Sequence, residues 1–292
     1  MVAVTGSGTT ELKEKNHVPY IQFKNLAATG IVKHGFSTRK GGVSTGIFSS
    51  MNLNFKRGDD PEAVMENYRR MAAALDMQVE DMVLSDQTHT TNVRVITEED
   101  RGKGILKPQD YRDVDGMITN VPGIVLVTSY ADCVPLYFVD PVRKAIGLSH
   151  SGWKGTVGHI GQRTVERMQQ VYGSDPKDIV AAIGPSICQS CYEVSEDVAE
   201  AFRAHFAENE AEDILLDKGN GKYQLDLWKA NWYVLTNAGI LPEHLEVTDL
   251  CTACHPDLLW SHRKTKGQRG GLSAFLSLTG PSVQTEAVYK TE

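Results

Sequence analysis

No long apolar run occurs anywhere in the 292 residues. The most apolar stretch, 123–139, is interrupted by Asp132 and Pro135 and falls short of the roughly 20 residues a bilayer demands. A membrane-spanning helix is thereby excluded. Positive charge is not in excess either. Thirty Lys and Arg stand against 37 Asp and Glu, a formal net charge of −7, whereas a nucleic-acid binder depends on neutralising phosphates. A local basic pocket for one small anion is still compatible with that balance. Cysteine is scarce and odd in number, five in all, which argues against a disulfide framework. The opening residues lack the basic-then-apolar order of a secretory leader, and with reduced thiols the expected compartment is the cytoplasm. Repeats, low-complexity tracts and Pro/Ser-rich linkers are missing too. The expectation is a polar, disordered lead-in over residues 1–16 followed by one domain over 17–292.

What is present is an ordinary globular composition, 41% hydrophobic and 23% charged, in a chain long enough to bury a core without metal or disulfide. Helical periodicity is found over 61–76, which opens on Pro61 after two aspartates, and over 156–172, 195–207 and 226–238. Apolar, β-branched runs at 83–96, 123–130, 134–139, 144–149, 178–183 and 271–278 predict buried strands. Asp140-Pro141 joins two of them as a hairpin. The pattern predicts an α/β (α+β) single domain with a mixed β-sheet flanked by helices.

The loudest motif is a pair of C-x-x-C units, Cys188/Cys191 and Cys251/Cys254. A four-thiolate zinc site would need the fold to bring these distant units together; buried or incidental thiols are the more ordinary reading. The run around Cys188 mimics a zinc deaminase signature, but in reversed order and without cysteine directly after proline, so that reading fails. The P-loop, the nucleophile elbow and the H-E-x-x-H helix are also missing.

Three polar segments interrupt or end strand-like runs: Ser85–Thr90 with His89, Tyr130–Pro135 with Cys133, and Leu148–Gly155 with His150 and Lys154. Two histidines and a thiolate make a zinc set with a fourth position open for chemistry. One core thiol and two hydrogen-bonded histidines are the competing reading. A fourth segment, His34–Ser44, gathers hydroxyls, Arg39, Lys40, Gly41 and Gly42, which suits a phosphate or equally a solvated basic loop. Lys154, between glycines and ahead of a helix, offers a second cation. Asp113 and Asp115 are candidates for acid/base work or for a turn before a strand.

Taken in order, HGFSTRKGGVS, DQTH, DVDGMIT, ADCVPLYFVD, SHSGWKGT, IGPSICQSCYEV and CTACHPDLLWSHRKTKGQRG resemble the motif series of the YfiH/YlmD laccase-domain family over residues 33–279. The resemblance implies a YfiH-like α/β domain holding Zn2+ (Cu2+ possible in place of it) through His89, Cys133 and His150. It further implies phosphorolysis of adenosine, inosine and methylthioadenosine, with adenosine deamination as an associated activity. Arg39, Gly42 and Lys154 would then hold phosphate, and Asp115 would serve as acid/base partner. The partners expected are small-molecule nucleosides and phosphate, not nucleic acid or membrane, with the chain a monomer or homodimer. The same family carries two other labels, copper polyphenol oxidase and peptidoglycan-editing amidase. Its fold resembles cysteine-hydrolase toxins, in which a Cys-His pair is catalytic. One departure is visible: Gln268-Arg269-Gly270 stands where the family usually has Thr-Gly-Arg.

Overall fold

The computed structural model describes residues 8–280. In chain order its strands are β1 (Thr10–Lys15), β2 (Val18–Phe23), β3 (Val32–Ser37), β4 (Met82–Leu84), β5 (Val93–Val95), β6 (Gly116–Thr119), β7 (Val125–Tyr130), β8 (Val134–Asp140), β9 (Ala145–Ser151), β10 (Val180–Ile183), β11 (Glu193–Ser195), β12 (Leu215–Asp217), β13 (Lys222–Leu225), β14 (Leu245–Val247) and β15 (Leu272–Leu278). The helices are α1 (Lys24–Ala28), α2 (Pro61–Leu75), α3 (Trp153–Val157), α4 (Ile160–Tyr172), α5 (Glu196–His205), α6 (Glu208–Ile214), α7 (Leu227–Asn237) and α8 (His262–Thr265).

Two six-stranded mixed sheets lie face to face, one ordered β1-β2-β3-β15-β7-β4 and the other β14-β10-β8-β9-β6-β5. A small sheet, β11-β13-β12, stands apart from them. Strand β15 shows how the layers form. Leu272, Ala274, Leu276 and Leu278 enter the core between the sheets, where they meet Tyr137, Ile146 and Leu148 of the second sheet. Phe275 points the other way, into a core with Tyr68 and Met71 of α2, as the two-residue period of a strand requires. The second sheet turns its outer face, including Leu136 and Phe138, toward Val165 of α4 and Val234 of α7. The result is four layers, helix–sheet–sheet–helices. Strands β8 and β9 are buried along their whole length, which is why their sequences read as near-continuous apolar runs. Such runs do not reveal which sheet they join, so the single sheet expected from sequence is in fact two large ones. The expected hairpin is β8–β9, paired from Val134↔Ser151 to Asp140↔Ala145. Among the described residues no helix is long and apolar enough to cross a membrane.

Two expectations need correction. Residues 10–16 are not a disordered lead-in: β1 pairs antiparallel with β2 from Thr10↔Phe23 to Lys15↔Val18, its mostly polar side chains largely exposed on an edge strand. Residues 1–7 of that predicted segment, like residues 281–292, lie outside the described residues. The helix expected over 156–172 is split into α3 and α4 by Gly158 and by His159, whose φ is +57°. Apolar periodicity runs through that break undisturbed, so the sequence pattern hides it.

His34 of β3 is buried, and its Nε2 accepts the Phe23 amide at 2.9 Å. Burial pulls its pKa down to about 4. Because the unfolded chain then takes up a proton that the native state refuses, stability rises with pH between about 4 and the ordinary histidine value near 6.5. Chemical denaturation at pH 7 and pH 4.5 is expected to differ by about 2 kcal/mol from this residue. His34→Gln should flatten the difference; an unchanged slope in that variant would assign the acid sensitivity elsewhere.

Candidate metal centre

The chain crosses from the first sheet to the second between β4 and β5, and again between β7 and β8. His89 lies in the first crossing and Cys133 in the second, while His150 is on β9 beside them. After β4 the Gln87 side chain takes over the pairing: its Nε2 donates to the Ser129 carbonyl at 2.8 Å and its Oε1 accepts the Ser129 amide at 2.7 Å. The next three amides, of Thr88, His89 and Thr90, all donate to the Asp115 carboxylate at 2.8–3.1 Å. His89 sits at φ +66° and Asp132, next to Cys133, at φ +87°. Left-handed backbone at non-glycine residues costs free energy and persists where the surroundings hold it. Asp132 is held by the Thr252 hydroxyl at 2.6 Å and the Arg263 amide at 2.7 Å.

His150 Nδ1 pairs with Asp115 Oδ1 at 2.8 Å, which turns its Nε2 toward Cys133 and His89. The histidine rings meet edge to face at 4.9 Å between centroids, and Cys133 Sγ lies 4.0 Å from His89 Nε2. One donor atom from each of the three lies within 4.8 Å of the others. Tetrahedral zinc with bonds of 2.0–2.3 Å spaces its donors by about 3.3–3.8 Å, so small side-chain movements suffice. Gly152 keeps this volume open: a Cβ there would meet His89 Cδ2 at 2.8 Å and Cys133 Sγ at 3.1 Å.

The electrostatics favour a thiolate–imidazolium pair backed by a carboxylate. Burial opposes ionisation of Cys133, but His150 and then His89 bring its thiol down to about 6. Burial also opposes a charged His150, yet the Cys133 thiolate and the Asp115 carboxylate raise it to about 9. For Asp115, burial pushes up and is outweighed by the His150 contact and the Thr90 and Thr88 amides, which bring it to about 2. A carboxylate orienting a histidine from behind is the usual support of a metal-binding imidazole. The acid/base role expected for Asp115 does not suit this geometry. Its oxygens accept from Thr88, His89, Thr90 and His150, so it is a positioning residue. Asp113 likewise supports the loop, accepting from the Thr88 hydroxyl at 2.7 Å.

Residues 33–279 match the family described as multi-copper polyphenol oxidoreductase laccase. The chain belongs to this laccase family. A purine nucleoside phosphorylase of Deinococcus radiodurans is 40% identical over 268 residues, 92% of this chain and 96% of that one. Adenosine deaminase RL5, from an unknown prokaryotic organism, is 37% identical over 248 residues, 84% of this chain and 92% of that one. The crystal structure of Bacillus licheniformis hypothetical protein YfiH superposes with a TM-score of 0.86 at 33% identity, covering 92% of this chain and 99% of that one.

In this member of the laccase family the predicted phosphate ligands separate. Lys154 lines a cavity of about 300 Å³ with His89, Cys133, Asp132, Trp153 and Tyr192. Arg39 does not reach the trio. Its guanidinium stacks on Trp260 at 3.6 Å and donates to the carbonyls of Pro256 and Ser49, tying loops together. Gly42 is packed, not open: its amide donates to Ser50 Oγ, and a Cβ would lie 2.2 Å from the Ser50 carbonyl oxygen. The cation that sequence reasoning missed is Arg269. It lines a second cavity, of about 250 Å³, together with His89, Cys133, His150 and Lys56. Burial and then nearby Arg57 pull its guanidinium down to about 10. Its Nε is buried with no hydrogen-bond partner among the described residues.

Proposed function

We propose that the laccase-family site of this chain cleaves adenosine, inosine and S-methyl-5′-thioadenosine with phosphate, releasing free base and (methylthio)ribose 1-phosphate. The observation that carries this reading is Arg269: a half-buried guanidinium lines the same cavity as His89, Cys133 and His150. The names of the relatives support the same substrate class.

His89, Cys133 and His150 would hold the zinc ion. When bound, it would supply a Lewis acid to the site. Everything else is done by the chain. Trp153 and Tyr192 give the purine an apolar, aromatic wall. Arg269 holds phosphate by charge-assisted bonds, and Lys154 adds a cation in the neighbouring cavity, which shares His89 and Cys133 with the first. A phosphate oxygen attacks C1′ as the C1′–N9 bond breaks, and the electron pair departs with the purine, which takes up a proton. Positioning of the anion against a cationic sugar supplies much of the acceleration. Adenosine deamination is proposed as the associated activity, in keeping with the deaminase among the relatives. The five thiols, none of them disulfide-bonded, support a reducing, cytoplasmic setting.

The test is product analysis of adenosine with and without phosphate. Adenine and ribose 1-phosphate are expected only when phosphate is present. Arg269→Ala should raise the KM for phosphate about 10- to 100-fold, as loss of a charged hydrogen bond implies. Adenosine returned intact by folded, zinc-loaded protein sinks the proposal.

A second reading is favoured by one observation: Cys133, His150 and Asp115 form a relay in which the thiol is acidic and the imidazole basic, the arrangement of a Cys-His hydrolase. Full activity toward an amide substrate after chelation would select it.

A further inference from the structure

Four cysteines outside this centre converge. Cys188 and Cys191 follow β10, in the loop 184–192; Cys251 and Cys254 follow β14, and a bridge between Ser186 and Cys251 continues the parallel β10–β14 pairing into both loops. That pairing overcomes the sequence separation and brings the two C-x-x-C units together, as a four-thiolate site requires. Their sulfurs all lie within 4.8 Å of one another. Cys191 and Cys254 are 3.4 Å apart and Cys188 and Cys254 3.9 Å, around the roughly 3.8 Å edge of a tetrahedron with Zn–S bonds of 2.3 Å. None is disulfide-bonded, and pairing two would leave the other two sulfurs in the same small volume unexplained. The amides of Cys188 and Cys254 both point at Cys251 Sγ, at 3.3 and 3.4 Å, as donors do toward a thiolate that carries charge.

We propose that Cys188, Cys191, Cys251 and Cys254 bind a second, structural zinc ion. Four protein ligands close the coordination shell, so this ion does no chemistry of its own. It fastens the wall of the catalytic cavity. Ile187 and Tyr192, which bracket the first C-x-x-C, line the cavity of His89 and Cys133, and the Ile187 amide donates to the Asp132 carbonyl at 3.0 Å. From the second C-x-x-C, the Thr252 hydroxyl holds the Asp132 carboxylate. Both metal-bearing loops therefore grip the residue beside Cys133. The metal assignment is independent of the nucleoside reading.

The experiment is elemental analysis of His89→Ala/His150→Ala protein, purified under reducing conditions with zinc supplied. This variant is expected to retain one tightly bound equivalent, half the wild-type content, and adding Cys191→Ser/Cys254→Ser should remove it. Zinc-free His89→Ala/His150→Ala protein overturns the proposal, as does recovery of these cysteines as disulfides in metal-free wild type. Should the variants fail to fold, cobalt titration of the wild-type chain decides. Two equivalents are expected, one with the strong thiolate charge-transfer absorption of four sulfurs; saturation at one equivalent with single-thiolate intensity counts against the second site.

Discussion

Cys133→Ala is expected to lose the metal of the catalytic trio and to slow phosphorolysis by about 1,000-fold or more, the several kcal/mol a Lewis acid contributes to a barrier. The thiol is the one anionic donor of the three, and two neutral imidazoles alone make a poor site at micromolar zinc. The fold should survive. Cys133 lies in a turn whose conformation is fixed by its neighbour Asp132 through Thr252 and Arg263, and alanine leaves those bonds in place. Parallel measurements of zinc content, circular dichroism and product formation check this. The decisive companion is wild-type protein stripped by chelator. Equal loss in both samples ties the effect to metal, whereas stripped wild type that keeps its activity while Cys133→Ala loses it identifies a nucleophile. Full activity in Cys133→Ala would falsify both readings.

Asp115→Asn is expected to weaken zinc binding about 10- to 100-fold, the usual consequence of removing the carboxylate behind a metal-binding histidine. The change is isosteric but not conservative. Both Asp115 oxygens accept: Oδ1 from the His89 amide and His150 Nδ1, Oδ2 from the Thr88 and Thr90 amides and the Thr90 hydroxyl. An asparagine must turn its NH2 toward one of these sets of donors, leaving buried groups unpaired at about 1–3 kcal/mol each. Thermal stability should therefore fall along with metal affinity, measured by competition with a chromogenic chelator. Unchanged affinity with lowered stability would reduce Asp115 to a fastener of the loop around His89.

His89, Cys133 and His150 stood out in the sequence because each ends or interrupts a strand-like run; the family resemblance joined them as a set, and the structure brings their donor atoms within 4.8 Å of one another. The hairpin was legible from Asp140-Pro141 between two apolar runs. The proposed phosphate site was not. A glycine-rich, cationic segment suits an anion, but Arg39 finds instead the Trp260 ring, from a distant part of the chain, and Gly42 is demanded by the close passage of Ser50 and Met51. Arg269 was obscured because it sits in the one motif that departs from the family pattern. The four cysteines show the same limit: their spacing along the chain is uninformative, and only the parallel run of β10 beside β14 makes them neighbours. The edge strand β1 escaped because Thr-Glu-Leu-Lys-Glu-Lys carries little apolar alternation and is defined by its partner.

Two of the trio, His89 and Cys133, lie where the chain passes between two stacked sheets, and His150 lies on β9 of the second sheet, so the separation of the three donors is also a gauge of how those sheets sit against each other. Tyr137 of β8, whose hydroxyl donates to the Gly35 carbonyl of β3 at 3.1 Å, pins one sheet to the other inside the core. Sliding at that interface would be transmitted to His89 and Cys133 as a change in bite, and metal affinity becomes a remote sensor of interior packing. An ion in the trio would act in reverse, as a rivet holding the two halves of the sandwich in register.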